Sequence, residues 1–122
     1  MNRIEANRIL DEMRADALTM SRLMLFAAAA GNAFSEIPDD CRLRLGLCRR
    51  QGDALSGVDI NPDEPTVSPF LLWAVVRWLY DKHYRDVAAV VEREGGKRLA
   101  FWKEDEESYH SATVEEENGF VN

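Results

Sequence analysis

The chain has 122 residues, of which 46% are hydrophobic, and a formal net charge of −7 at pH 7. This length fits a single domain and is long enough to bury a hydrophobic core without disulfides or a metal ion. The acidic balance argues against an ordinary nucleic-acid-binding protein, because such a protein needs a basic face to neutralise phosphates.

The charge is unevenly distributed along the chain. Residues 1–52 carry a net charge of +1 and residues 65–103 carry +3, whereas residues 53–64 carry −4 and residues 104–122 carry −7. A nearly neutral body with its carboxylates gathered in one loop and at one end indicates a partner with a basic surface.

The first predicted element is a helix from Arg3 to about Ala30, which ends at Gly31-Asn32. Its apolar residues recur at helical spacing: Ile9, Met13, Met20, Met24 and Ala27. A methionine-rich stripe suits varied partners, but a domain of this size needs the stripe for its core, so we predict that it faces inward. The alanine-rich end would let another helix approach closely, within the fold or across a homodimer.

Residues 38–51 have two interpretations. Cys41 and Cys48 would share one face of a helix, and Pro38 suits its first turn. The run CRLRLGL also alternates apolar and polar residues, which is typical of a strand. The position of the proline and the Arg49-Arg50 pair near the end of the segment favour the helix.

The two cysteines predict free thiols rather than a disulfide. On a helix they would lie about 10 Å apart along the axis, which is beyond disulfide reach. The N-terminal segment alternates charges and lacks the apolar region of a secretory signal. Together these features predict a cytoplasmic protein.

Residues 52–67 are predicted to form a long loop. Asp59, Asn61 and Asp63 have the spacing of the first three ligands of a calcium loop. The later positions that need glycine and glutamate hold other residues, so the motif fails and no metal site is predicted.

The central element is the stretch Val67–Glu94. Ser68-Pro69 predicts a helix start, and Phe70–Tyr80 contains a single charged residue, which indicates a buried core helix. The apolar run is too short and too charged to cross a membrane. The helix either continues to about Glu94 or breaks near Asp81 into two packed pieces.

The C-terminal part predicts two strands and a tail. After Gly95-Gly96 the apolar pattern alternates, so residues 97–102 and 108–114 should pair as a small β-hairpin around the acidic turn EDEE. The predicted fold is mainly α (α+β), with about four helices packed around a central apolar helix, a small C-terminal β-hairpin and an acidic tail. Residues 1–114 would form one domain, and residues 115–122 would fray because they have little to bury.

The sequence contains no catalytic, phosphate-binding or dinucleotide-binding motif, and His83 and His110 lack partners at metal-ligand spacing. We therefore predict no enzymatic activity, metal or cofactor. The order of helices and hairpin invites comparison with winged-helix proteins, but an EDEE wing tip would repel phosphates. A winged-helix-like nucleic-acid-binding regulator is the second hypothesis, and an enzyme of unknown type is the third.

The leading hypothesis is a non-enzymatic protein-protein interaction protein, a small acidic adaptor or inhibitor that engages a basic surface of a partner protein. That surface could be a nucleic-acid-binding groove, by analogy with small inhibitors from mobile elements. Carboxylates would steer the encounter and an aromatic side chain would anchor it; alternatively, the acids only keep the protein soluble. The predicted partner-binding residues are Trp102, Glu104, Asp105, Glu106, Glu107, Tyr109, Glu115, Glu116, Glu117 and Phe120.

Overall fold

The computed structural model describes residues 3–29, 44–51, 54–60, 68–92 and 98–114. These residues form three helices and five strands, which occur along the chain in this order: α1 (Arg3–Ala15), α2 (Ala17–Ala29), β1 (Arg44–Gln51), β2 (Ala54–Ile60), α3 (Pro69–Asp81), β3 (Val87–Glu92), β4 (Arg98–Lys103) and β5 (Tyr109–Thr113).

The strands form one antiparallel sheet in the order β2-β1-β3-β4-β5. The predicted fold class, four helices around a central helix with a separate C-terminal hairpin, is therefore wrong. The two C-terminal strands do pair with each other, but they are the last two strands of a five-stranded sheet. Two segments predicted as helices, within residues 38–51 and after Asp81, contain strands β1 and β3 instead.

Helices α1 and α2 replace the single helix predicted for Arg3–Ala30, because the chain breaks at Asp16. The Asp16 amide donates to the Met13 carbonyl, and the Asp16 carbonyl accepts the first helical hydrogen bond of α2, from Met20. Aspartate is a poor residue inside a helix and a good one at a helix start, so the break occurs where the sequence tolerates it.

The Asp16 carboxylate also fastens this break to α3. Its Oδ2 accepts a hydrogen bond of 2.9 Å from the indole Nε1 of buried Trp78 and lies 3.5 Å from Lys82 Nζ. The Trp78 hydrogen bond is the main reason why the pKa of Asp16 is lowered, with a further hydrogen bond from Thr19. The predicted inward-facing stripe is confirmed, since Ile9, Met13, Met20 and Ala27 belong to the core and Met24 packs against it.

Strands β1 and β2 occupy residues that were predicted as a helix and a loop. Within the described part of residues 38–51 the helix prediction is wrong, because Arg44–Gln51 forms a strand in which Leu47 and Cys48 are both fully buried but belong to different core clusters. The β1–β2 register shifts between Cys48 and Arg49, which leaves Gly57 as the extra residue in β2. Glycine suits such a bulge because it lacks a Cβ. The remaining positions of the calcium-like spacing, Asn61 and Asp63, lie outside the described residues.

Helix α3 begins as predicted and is largely buried. The Ser68 hydroxyl accepts a hydrogen bond from the Leu71 amide, and Pro69 occupies the first turn. The buried residues of α3 are Leu72, Trp73, Ala74, Val75, Val76, Trp78, Leu79 and Tyr80. The helix lies between α2 on one side and the sheet on the other rather than inside a bundle.

The end of α3 bears on the two alternatives for Val67–Glu94: the break near Asp81 is confirmed, but the piece that follows it is not a helix. The helix ends at Asp81, and the next element is strand β3 rather than a second helical piece. His83 adopts φ 68°, its amide donates to the Tyr80 carbonyl, and the Tyr84 amide donates to the Leu79 carbonyl. This hydrogen-bond pattern is a Schellman helix end, in which the left-handed position is normally glycine.

Replacing His83 with glycine is expected to raise the free energy of unfolding by about 0.5–1 kcal/mol, because a non-glycine residue pays for the left-handed conformation. His83→Val should lower it, since a β-branched side chain tolerates this conformation least. Urea denaturation of the three proteins measures both effects. Equal midpoints for all three would contradict the assigned helix end.

The three helices contribute to one face of the sheet only. Leu47, Val87, Ala89, Val91 and Phe101 belong to the same core cluster as the buried residues of α1, α2 and α3. On the opposite face, a smaller cluster contains Cys48, Ala88, Val90, Ala100 and Val114, with Leu55 and Trp102 packed against it. None of the described helices combines the length and apolarity needed to cross a membrane.

Candidate functional site

The β4–β5 connection holds the described part of the predicted partner-binding site. Strand β4 ends at Lys103, residues 104–107 make the turn, and β5 begins at Tyr109. Trp102 and Tyr109 flank the turn on the two strands, and the side chains of Glu104–Glu107 are exposed. The remaining predicted residues, Glu115, Glu116, Glu117 and Phe120, lie outside the described residues.

On the sheet face opposite the helices, Trp102 is the centre of a stacked cluster. The Arg50 guanidinium carbon lies 5.3 Å from the centre of the Trp102 ring, and His110 stacks on that tryptophan at 5.8 Å with an interplanar angle of 19°. Glu104 bridges the cluster, since its carboxylate lies 3.0 Å from Arg50 Nη1, 3.4 Å from Trp102 Nε1 and 3.8 Å from His110 Nε2.

Arg50 is held from a second side as well. Its Nη2 donates a hydrogen bond of 2.7 Å to the Arg85 carbonyl, before β3. The guanidinium therefore joins β1, the start of β3 and the turn, and only 13% of its side chain is exposed. This arrangement fixes the position of the turn through charge-assisted hydrogen bonds.

On the helix-covered face, the turn is held by Lys103, whose side chain is 3% exposed. Its Nζ lies 4.0 Å from the centre of the Tyr109 ring and 5.3 Å from that of Tyr80, and it donates to the carbonyls of Glu106 and Ser108. Burial, with a smaller contribution from the nearby positive charge of Arg77, lowers the pKa of this ammonium. Lys103 therefore fixes the backbone of the turn through hydrogen bonds from the helix-covered face.

Arg77 of α3 completes the attachment. It forms ion pairs with Asp81 at 3.2 Å and with Glu106 at 3.0 Å. Within the turn, Asp105 Oδ1 accepts hydrogen bonds from the amides of Glu107 and Ser108, and the first of these is the main reason why its pKa is lowered.

The charge distribution along the sequence indicated carboxylates free to meet cations, and the described turn differs from that expectation. Glu104 and Glu106 are paired with the protein's own arginines, on opposite faces of the sheet. The turn is a fixed structure whose negative charge is partly neutralised within the chain. Its contact with a partner stays a prediction.

A second surface, which the sequence analysis did not single out, lies on α2. The outer face of α2 consists of Leu18, Arg22, Leu25 and Phe26. The three apolar side chains are 66%, 75% and 64% exposed, respectively. Leu25 and Phe26 follow Leu18 by seven and eight residues, which is about two helical turns, so the three lie on one side of the helix, opposite Met20 and Ala27, which are buried in the core.

A groove runs along the flank of α2 beside its outer face. It has a volume of about 340 Å³ and is lined by Leu10, Met13, Arg14, Ala17, Met20, Ser21, Met24, Leu71 and Val75. The methionines that were assigned to the core thus have a second role, because parts of their side chains also form this groove. Ala17 and Ser21 are exposed and separate the groove from the outer face.

Cys48 is the cysteine that the structure describes. Cys48 is fully buried, and burial raises the pKa of its thiol to about 12, which disfavours the nucleophilic thiolate. Cys41 lies outside the described residues. No group of three histidine, cysteine or acidic side chains with metal-binding geometry occurs within the described ranges.

The comparisons with known proteins give no match: no protein-family model, curated protein or solved structure matches this chain. A signal for the outer face of α2 was present in the sequence, since ALTMSRLMLFAAA is apolar on all sides and contains one charged residue. A helix with that pattern is normally buried all round.

Proposed function

We propose that the protein is a non-enzymatic protein-protein interaction protein, an adaptor or inhibitor, that docks a partner through the outer face of α2. The observation that carries this proposal is the exposure of Leu18, Leu25 and Phe26 on one side of one helix. Single exposed apolar residues are ordinary, but adjacent large ones on a rigid element are typical of binding surfaces.

The fold does not require these side chains. Helix α2 packs on α3 through its opposite side, where Met20 and Ala27 are buried and Leu23 and Met24 are partly buried. The large apolar residues of the outer face therefore contribute little to folding, and leaving them in water is unfavourable. A partner that covers them would gain binding free energy at no cost to the core.

The acidic residues support the same class of function in a different way. Because Glu104 and Glu106 are paired within the chain, we assign the turn a structural role. The acidic residues 115–117 keep the role predicted for them, steering a partner that carries a basic surface.

The experiment compares capture of partner proteins by purified tagged wild type with capture by Leu25→Glu. Loss of the apolar contact and introduction of a carboxylate into the apolar face should weaken capture by at least about tenfold. Ile4→Glu is the matched control, because Ile4 is also an exposed large apolar residue, at 80%, but lies on α1. Circular dichroism should show that both variants remain folded.

Equal capture by wild type and Leu25→Glu would remove α2 from the mechanism. A truncation after Val114, with capture measured at two salt concentrations, tests the tail separately. If the truncated protein captures partners as well as wild type does, the tail only keeps the protein soluble. The cut belongs after Val114 because a shorter protein ending at Lys103 would lose strand β5.

A further inference from the structure

We infer that the segment which covers the outer face of α2 is an amphipathic helix of another protein, with a carboxylate placed between apolar side chains. This inference rests on the proposed function and names the chemistry of the partner. It is carried by the position and surroundings of Arg22.

Arg22 lies in the middle of the apolar surface. It is four residues from Leu18 and from Phe26 and three from Leu25, so all three neighbours lie on adjacent turns of the same side. Its side chain is exposed, and no ion pair or hydrogen bond to it occurs among the described residues.

Other arginines of the described structure have partners. A carboxylate lies within 3.9 Å of each of these guanidinium groups: Arg8, Arg14, Arg49, Arg50, Arg77 and Arg98. Arg85 packs over the Tyr80 ring at 4.5 Å. Within the described ranges, Arg22 lies at the centre of an apolar patch without such a carboxylate.

Covering that patch would remove Arg22 from water, and a buried cation without a counter-charge is strongly unfavourable. A partner must therefore bring an acceptor to this point, and a carboxylate fits the guanidinium best because it can accept two parallel hydrogen bonds. Apolar side chains must surround it to meet Leu18, Leu25 and Phe26.

The shape of the surface favours a helix as the occupant. The outer face is a stripe along one helix, with the groove beside it, and a second helix packs on such a stripe with side chains spaced three and four residues apart. The groove of about 340 Å³ can accept a large apolar side chain from that helix.

A second copy of this chain fits poorly. Helix α2 contains no aspartate or glutamate, so two copies of α2 packed symmetrically across Arg22 would bring two arginines together without a compensating acid. Like charges in a dry interface are unfavourable. This argues against a symmetric dimer through α2, and we assign the occupant to a different protein.

The test uses two synthetic helical peptides of roughly 20 residues, with leucines at three- and four-residue spacing and either glutamate or lysine at the centre of the leucine stripe. Fluorescence anisotropy measures their affinity for wild type and for Arg22→Glu. Wild type should bind the glutamate peptide about tenfold more tightly than the lysine peptide, and Arg22→Glu should reverse the order. Leu25→Ala, which removes apolar contact without adding a charge, should weaken binding of both.

Equal affinity of wild type for the two peptides would overturn the inference that the partner carries a carboxylate opposite Arg22. The proposed function would still stand if Leu25→Glu reduced capture of the partner. Binding of neither peptide would overturn the helical occupant. If wild type sediments as a dimer and Leu25→Glu sediments as a monomer, the occupant is a second copy of this chain, which would overturn the inference of a different protein. If Leu25→Glu leaves capture unchanged, the proposed function itself fails.

Discussion

Replacing Phe101 with alanine is expected to lower the free energy of unfolding by about 3–5 kcal/mol. Phe101 is 1% exposed and lies in β4, on the face of the sheet that the helices cover. Its removal leaves a cavity between the two layers, where neighbouring strands and α3 restrict collapse of the surrounding side chains. Denaturant unfolding followed by tryptophan fluorescence measures the loss.

Phe26→Ala is the matched control for this change, because it removes the same atoms from a side chain that is 64% exposed. Its effect on stability should stay within about 0.5 kcal/mol. A large loss for Phe26→Ala would show that the outer face of α2 is needed for folding, and a small loss for Phe101→Ala would contradict the two-layer core.

Replacing Lys103 with alanine is expected to lower stability by about 2–4 kcal/mol, the second largest effect. The change removes a buried aliphatic stem, worth about 0.8 kcal/mol per methylene, and an ammonium in contact with the Tyr109 ring. It also removes the donor to the carbonyls of Glu106 and Ser108. Lys103→Met keeps most of the stem and should therefore lose only about 1–2 kcal/mol.

The pH dependence separates the charge of Lys103 from its packing. Burial holds its folded pKa below the ordinary 10.5, so the folded state releases this proton at a lower pH than the unfolded state. Between those two values the unfolded state binds more protons, and this group's contribution to stability rises with pH. Wild type should therefore gain stability relative to Lys103→Met on approaching pH 10.5. A constant difference across that range would contradict a lowered pKa.

Local signals predicted the start of α3, because Ser68 and Pro69 act within one turn of the helix they begin. They failed for VAAVVE, since a short apolar run fits a buried helix and a buried strand equally well. Pairing decides the matter: β3 lies between β1 and β4, and those partners come from other parts of the chain. The same holds for β1. Its alternation of apolar and polar residues favoured a strand, but Pro38 and the Arg49-Arg50 pair favoured a helix, and only the pairing with β2 and β3 decides between them.

The candidate sites illustrate the same limit. A tally of charge along the chain located the acidic turn, but Arg50 and Glu104 are 54 residues apart in sequence, so their pairing was not visible in that tally. For α2, the helical spacing of Met20, Met24 and Ala27 predicted the buried side, but it gave no reason to expect large apolar side chains in solvent on the other side. Only the structure shows that Leu25 points outward.

The position of β1 next to β3 has a consequence for the order of folding. Hairpins β1–β2 and β4–β5 each join neighbouring segments, whereas the β1–β3 ladder pairs Arg49 with Val87 and Arg44 with Glu92 across an intervening strand and helix. Closing that long loop costs chain entropy before its contacts form. We therefore expect the two hairpins to form early and the seam between β1 and β3 to be the kinetic bottleneck, where one cooperative step unites the two halves of the molecule.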